Sequence, residues 1–276
     1  MSTKNILRAA ILVIGAVLIV NTGNASHSWN GYHWARTANP MPLKVIDSVT
    51  NGWQYEFETA LDEWNQSSAL DMAVDSADDG SRTRKQCRMH AGQMRVCNAN
   101  YGFNGWLGRA TIGLDSRGHI DRGIAQMNDS YSSYWADPNE KRHVMCQETG
   151  HVFGLGHTSE DGSSQQTCMD YSSDPKSISP NQHDYDELAL IYGHLDSYNS
   201  YDDGSSSSGG STCSAPPGKG CNKNNAGAGL GPASGPPAGV LVYRGKHEEI
   251  WVASRPDGGL WITHVRLVPD AFRIIR

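Results

Sequence analysis

The eleven residues from Gln147 to His157, QETGHVFGLGH, constrain this chain more than any other feature. Positions four apart on a helix share a face, so Gln147 and His151 reach one point while Glu148 projects beside it. Gly154 permits a positive-φ turn that ends the helix and swings His157 round to the same place. Two imidazoles, an amide and a carboxylate converging on one spot form a donor set for a metal ion, with a general base alongside.

The helix carrying these residues is expected to start near Pro138, which suits a first turn, and to stop at Gly154. Upstream, Pro42–Val49 alternates as a strand, and Trp53–Gln66 repeats Trp53, Phe57, Leu61 and Trp64 at helical spacing. Leu70–Val74 is a second strand candidate, and 78–99 reads as a polar, cysteine-bracketed loop. Trp106–Asp115 and His119–Asn128, separated by Ser116-Arg117-Gly118, form an expected hairpin. A last helix fits Asn181–His194. Strands followed by helices make the fold class α+β, a mixed sheet with a backing helix.

The first 25 residues carry Lys4, Arg8, an apolar run over 9–20 and the small-residue ending Gly23-Asn24-Ala25, the pattern of a secretory signal peptide. Twelve apolar residues fall short of the ~20 that span a membrane, so no stable anchor is expected after cleavage. All six cysteines lie beyond Ala25, and an even number in an exported chain points to disulfides. Local spacing favours Cys87 with Cys97, Cys146 with Cys168, and Cys213 with Cys221. A main domain over 26–197 is followed by a Ser/Gly/Pro-rich linker over 198–239. A small β-rich tail covers 240–276, where Trp251 and Trp261 either stack on sugars or, the plainer reading, pack on the main domain. With a net charge of −6, nothing in the sequence is basic enough to point to nucleic acid. The expected location is secreted or extracytoplasmic.

From Leu43 to Leu195 the sequence resembles the metzincin clan of zinc endopeptidases. Glu148, His151, Gly154 and His157 fall in the slots of its signature HExxHxxGxxH, and Cys168-Met169-Asp170-Tyr171 looks like its Met-turn. The closing NQHDYDELALIYGH is similar to the end of matrixin domains. The resemblance implies a mixed sheet, Met169 as an apolar floor under the metal, and Tyr171 near the zinc, where it can ligate or bond the tetrahedral intermediate. It also implies a monomeric enzyme that hydrolyses protein or peptide substrates, with Glu148 as general base. Strand Gly105–Ile112 is the implied edge on which an extended substrate adds itself, although a twisted edge with Trp106 in the core serves the same periodicity. Calcium is implied at acidic loops such as Asp78-Asp79, Glu160-Asp161 and Asp202-Asp203, for which solvated loops are the plainer reading. No cysteine precedes Cys87, so thiol-based latency is not expected.

Gln147 departs from the signature, standing where the first ligand histidine belongs. Its amide oxygen is a harder donor than imidazole and suits zinc less well. Three outcomes follow. Zinc binds through Gln147, His151 and His157, with Tyr171 added. Alternatively, the domain is an inactive pseudoenzyme that binds peptides or a partner in its cleft. A third outcome, His143 as substitute ligand, fails on distance: eight residues separate it from His151, or ~12 Å along the axis. Asn65 and Asn128 begin glycosylation sequons.

Overall fold

The computed structural model describes residues 27–202 and 237–270. The expected cleavage point, Cys213 with Cys221, and nearly all of the linker lie outside the described residues. In chain order the elements are β1 (Met41–Ser48), α1 (Gln54–Trp64), β2 (Leu70–Ala77), α2 (Ser81–Gln86), β3 (Gln93–Ala99), β4 (Trp106–Leu114) and β5 (Ile120–Asn128). These are followed by α3 (Pro138–Val152), α4 (Gln182–Ile191), β6 (Val240–Arg244), β7 (Glu248–Ser254) and β8 (Leu260–Leu267). The class is α+β, as expected.

All eight strands join one sheet in the order β2-β1-β3-β5-β4-β8-β7-β6. β1, β2, β3 and β5 run parallel, β4 turns back along β5, and β8, β7 and β6 continue antiparallel. On one face, Trp53 and the α1 residues Phe57, Leu61 and Trp64 meet Val144, Met145 and Val152 of α3 over Leu43, Val45, Met94, Val96, Leu107 and Met127. Burying each such side chain contributes roughly 1.5–3 kcal/mol, enough to fix α3 against the sheet. The other face holds a smaller cluster of Cys87, Met89, Cys97, Ile124 and Trp261.

The expected hairpin forms, as do Cys87–Cys97 and Cys146–Cys168. Residues 78–99 are not a loop: they hold α2 and β3, and β3 is an inner strand between β1 and β5. Its polar residues hid the pattern. Met94 and Val96 join the main core while Cys97 joins the opposite cluster, and buried Arg95 is met by His90 Nε2 at 3.0 Å. Both sequon asparagines are engaged. Asn128 is fully buried and donates to the Gly102 and Trp106 carbonyls, and Asn65 pairs with the Met72 backbone in both directions.

The tail is not a separate appendage. β8 lies antiparallel along β4 from Trp106↔Leu267 to Leu114↔Leu260, so the edge expected to receive an extended substrate is already paired by this chain. Trp261 is buried, as expected for packing. Among the described residues no helix is long and apolar enough to cross a membrane.

Candidate metal centre

Helix α3 starts as its sequence dictates: Asp137 Oδ1 accepts from the Asn139 amide, and Pro138 occupies the first turn, where a missing N–H costs nothing. Two glycines fix its surroundings. A Cβ on Gly150 would lie 2.6 Å from Met169 Sδ, so the methionine packs directly under the helix. Gly154 has φ +95°, and a Cβ there would fall 1.8 Å from the Tyr32 carbonyl oxygen. The chain can therefore turn at Gly154 and deliver His157 only because this residue lacks a side chain.

Three imidazoles meet at this turn: those of His151 and of His264 in β8, both buried, and that of His157, whose side chain is 4% exposed. Their ring centroids are separated by 4.6 Å (151 to 157), 4.0 Å (151 to 264) and 4.8 Å (157 to 264). One nitrogen of each ring is held from behind. His151 Nδ1 donates to the Leu155 carbonyl at 2.8 Å. His157 Nδ1 and His264 Nε2 approach Glu248 Oε2 at 3.2 and 2.8 Å. The remaining nitrogens, His151 Nε2, His157 Nε2 and His264 Nδ1, have no hydrogen-bond partner. Both oxygens of fully buried Glu148 also lack a hydrogen bond, Oε2 lying 3.5 Å from His264 Nδ1. A Cβ on Gly108 would sit 2.5 Å from Glu148 Oε1, so β4 leaves room for this carboxylate by carrying a glycine.

The donor set fits zinc. Its ligand atoms lie within 4.8 Å of one another, and a tetrahedral ion bound at 2.0–2.1 Å needs separations of about 3.4 Å, a modest contraction. The backing of each imidazole by a carbonyl or carboxylate is the arrangement that orients metal-binding histidines. Burial, with His264 and His157 nearby, holds His151 well below the usual imidazole range. Burial likewise lowers His157 to about 4 against the pull of Glu248. Burial also opposes the charge on His264, but Glu148 and Glu248 outweigh it and raise that ring to about 9. Glu248 resists burial in the same way: contacts from His157 and His264 hold its carboxyl well below the usual range.

Gln147 does not join the cluster. Its Nε2 donates to the Cys168 and Asp170 carbonyls at 3.0 and 2.8 Å, and its Oε1 accepts from Arg266 Nη1 at 2.6 Å. Both donors and the acceptor of the amide are thus engaged away from His151 and His157. The Tyr171 hydroxyl donates to Glu248 Oε2 at 3.2 Å and lies 3.0 Å from His264 Nε2, and its ring packs 4.4 Å from that of His157. His143 meets the Asp170 carbonyl at 2.8 Å and Arg266 at 3.2 Å, a buried packing role. A cleft of about 210 Å³ opens onto the histidines between Trp29, Glu160, Glu248 and Ile250.

The chain matches no model of a protein family, and no curated protein matches it. The reading of this centre therefore rests on its geometry. His151, His157, Glu148, Met169 and Tyr171 were singled out from the sequence and are brought together here. His264, Glu248 and Arg266 were missed. The available signal was LWITHVRLV, where His264 and Arg266 sit two apart on one face of a strand whose other residues are chiefly apolar. Acidic loops proposed for calcium have other contacts: Asp202 pairs with Lys44 at 3.1 Å, and Asp161 accepts from Ser159 and Ser163 in its own loop.

Proposed function

We propose that this chain is an exported, zinc-dependent hydrolase of peptide bonds, of the metzincin kind, with Glu148 as general base. The observation that carries this reading is the set of three imidazoles, His151, His157 and His264, each with one nitrogen lacking a hydrogen bond, and the buried Glu148 carboxylate 3.5 Å from that nitrogen of His264. A buried polar atom without a hydrogen bond costs about 1–3 kcal/mol, and a bound cation would remove that cost for all three imidazole nitrogens. The reading needs His151 and His157 to hold the ion together with a third donor, and neutral imidazole favours zinc over calcium. Zinc bound there would acidify a water molecule and polarise the scissile carbonyl.

Glu148 then accepts a proton from the attacking water as the new C–O bond forms, and passes it to the amine as the C–N bond breaks. Met169 and Gly150 fix the helix beneath it. Tyr171, whose hydroxyl is engaged by Glu248 and His264, orients the centre rather than reaching the substrate. Because β8 pairs with β4 over its length, a peptide cannot lie there as an added strand. The small cleft beside Trp29 and Ile250 suits a chain end or a tight loop. The test is cleavage of a mixed peptide library by zinc-loaded protein and by Glu148→Gln. Loss of cleavage with zinc retained supports the proposal, and equal cleavage by both proteins refutes it.

The covered β4 edge favours a second reading, an inactive metal-clamped domain that binds rather than cuts. Stoichiometric zinc without any Glu148-dependent cleavage is its signature.

A further inference from the structure

The proposed function requires a third ligand that Gln147 does not supply. We infer that His264 of the C-terminal strand is that ligand and that Gln147 is the receptor for Arg266, so that metal binding and docking of the tail are one linked event. The inference rests on the reading of this cluster as a metal centre.

Strand register places the two tail residues. His264 pairs with Ala110 and Arg266 with Gly108, and residues two apart on a strand share a face, here the face toward α3. Val265 between them turns to the opposite side and packs with Tyr101 and Trp106. With β8 in this register, Arg266 Nη1 reaches Gln147 Oε1 while His264 presents Nδ1, without a hydrogen bond, beside Glu148. A one-residue slip would turn both side chains to the wrong face, so the Arg266–Gln147 contact fixes the register that His264 needs.

The identity of residue 147 follows from the same contacts. The amide gives two N–H bonds to the Cys168 and Asp170 carbonyls and keeps an oxygen for the guanidinium. A neutral histidine has one donor and one acceptor and cannot make all three contacts. The tail also brings Glu248, which backs both His157 and His264. Three chain segments thus build the centre, and β7 and β8 supply one ligand and the carboxylate that orients two. By linkage, an ion that binds only the docked arrangement stabilises docking by as much as docking strengthens its binding.

The experiment uses the full chain and zinc itself. Zinc affinity is measured by competition with a chromogenic chelator for the native protein and for His264→Ala. Amide exchange across β8 and β4 is followed with zinc and with EDTA. Native protein is expected to take one zinc, and His264→Ala to bind it at least about 100-fold more weakly, beyond the loss typical of a supporting residue. Zinc should slow exchange in β8 of the native protein only. His264→Cys guards against a misfolded alanine variant: loaded with cobalt(II), it should show a thiolate-to-cobalt absorption band, which arises only if residue 264 touches the ion. Undiminished zinc binding by His264→Ala, or no such band in a folded His264→Cys protein, overturns the inference. If His264→Ala keeps both zinc and Glu148-dependent cleavage, this inference fails and the proposed function stands. If native protein binds zinc through His264 but cleaves nothing, the reverse holds.

Discussion

Replacing Gly154 by alanine tests whether the turn after α3 is the element that delivers His157. Non-glycine residues in the left-handed region pay about 1–2 kcal/mol. Here the added Cβ would also lie 1.8 Å from the Tyr32 carbonyl oxygen, a backbone atom that no rotamer change can move aside. The segment 27–33 must therefore separate from 154–156. That breaks the bonds from Trp29 N to the Gly154 carbonyl (2.6 Å) and from Gly156 N to the His27 carbonyl (2.5 Å). At about 1 kcal/mol each, the two bonds bring the total to about 3–4 kcal/mol. For a domain of this size that is a fall in Tm of roughly 10 °C. Calorimetry on metal-free native and Gly154→Ala proteins reads this directly, and zinc affinity should fall with it as His157 moves. A loss below about 1 kcal/mol, with zinc binding intact, would refute the reasoning.

Other substitutions probe separate links. Gly108→Ala places a methyl 2.5 Å from Glu148 Oε1, so overpacking should cost about 1–3 kcal/mol, read by urea denaturation, and hydrolysis should fall more than zinc affinity. Cys146 and Cys168 close a 22-residue separation tying α3 to the Met169 loop; replacing both with alanine should cost about 3 kcal/mol in urea titration. Asp115 resists burial through bonds from the Tyr198 hydroxyl and the His119 and Arg117 amides, which together hold its carboxyl below the usual range. A depressed carboxyl stabilises the fold above its unfolded value of 3.8 and loses that contribution as pH falls toward the folded value. Tyr198→Phe should therefore reduce stability at neutral pH and flatten its fall in acid, measured by denaturation at stepped pH; identical profiles would contradict the assignment.

What was legible in the sequence was whatever rests on local rules. α3, its Pro138 start and its Gly154 stop follow from helix-end chemistry, and the β4–β5 hairpin from two strand patterns around a turn. Cys87 with Cys97 and Cys146 with Cys168 followed from spacing. β3 escaped because a strand buried on both faces does not alternate, and Gln93, Arg95 and Asn98 made it look like a loop. The candidate site was half legible for a similar reason. Glu148, His151 and His157 lie within ten residues of one another, whereas His264 comes from more than a hundred residues later. Only the pairing of β8 with β4 joins them, a long-range contact on which sequence spacing is silent. Gln147 was recognised as the irregular position, but the Arg266 that explains it belongs to the same distant strand.

The most direct test of the account is anomalous diffraction at the zinc edge from crystals of the zinc-loaded full chain. The account predicts one peak about 2.1 Å from His151 Nε2, His157 Nε2 and His264 Nδ1, with the Gln147 amide still bonded to the Cys168 and Asp170 carbonyls. A peak bound by Gln147 Oε1 with His264 withdrawn, or no peak among these histidines, would contradict it.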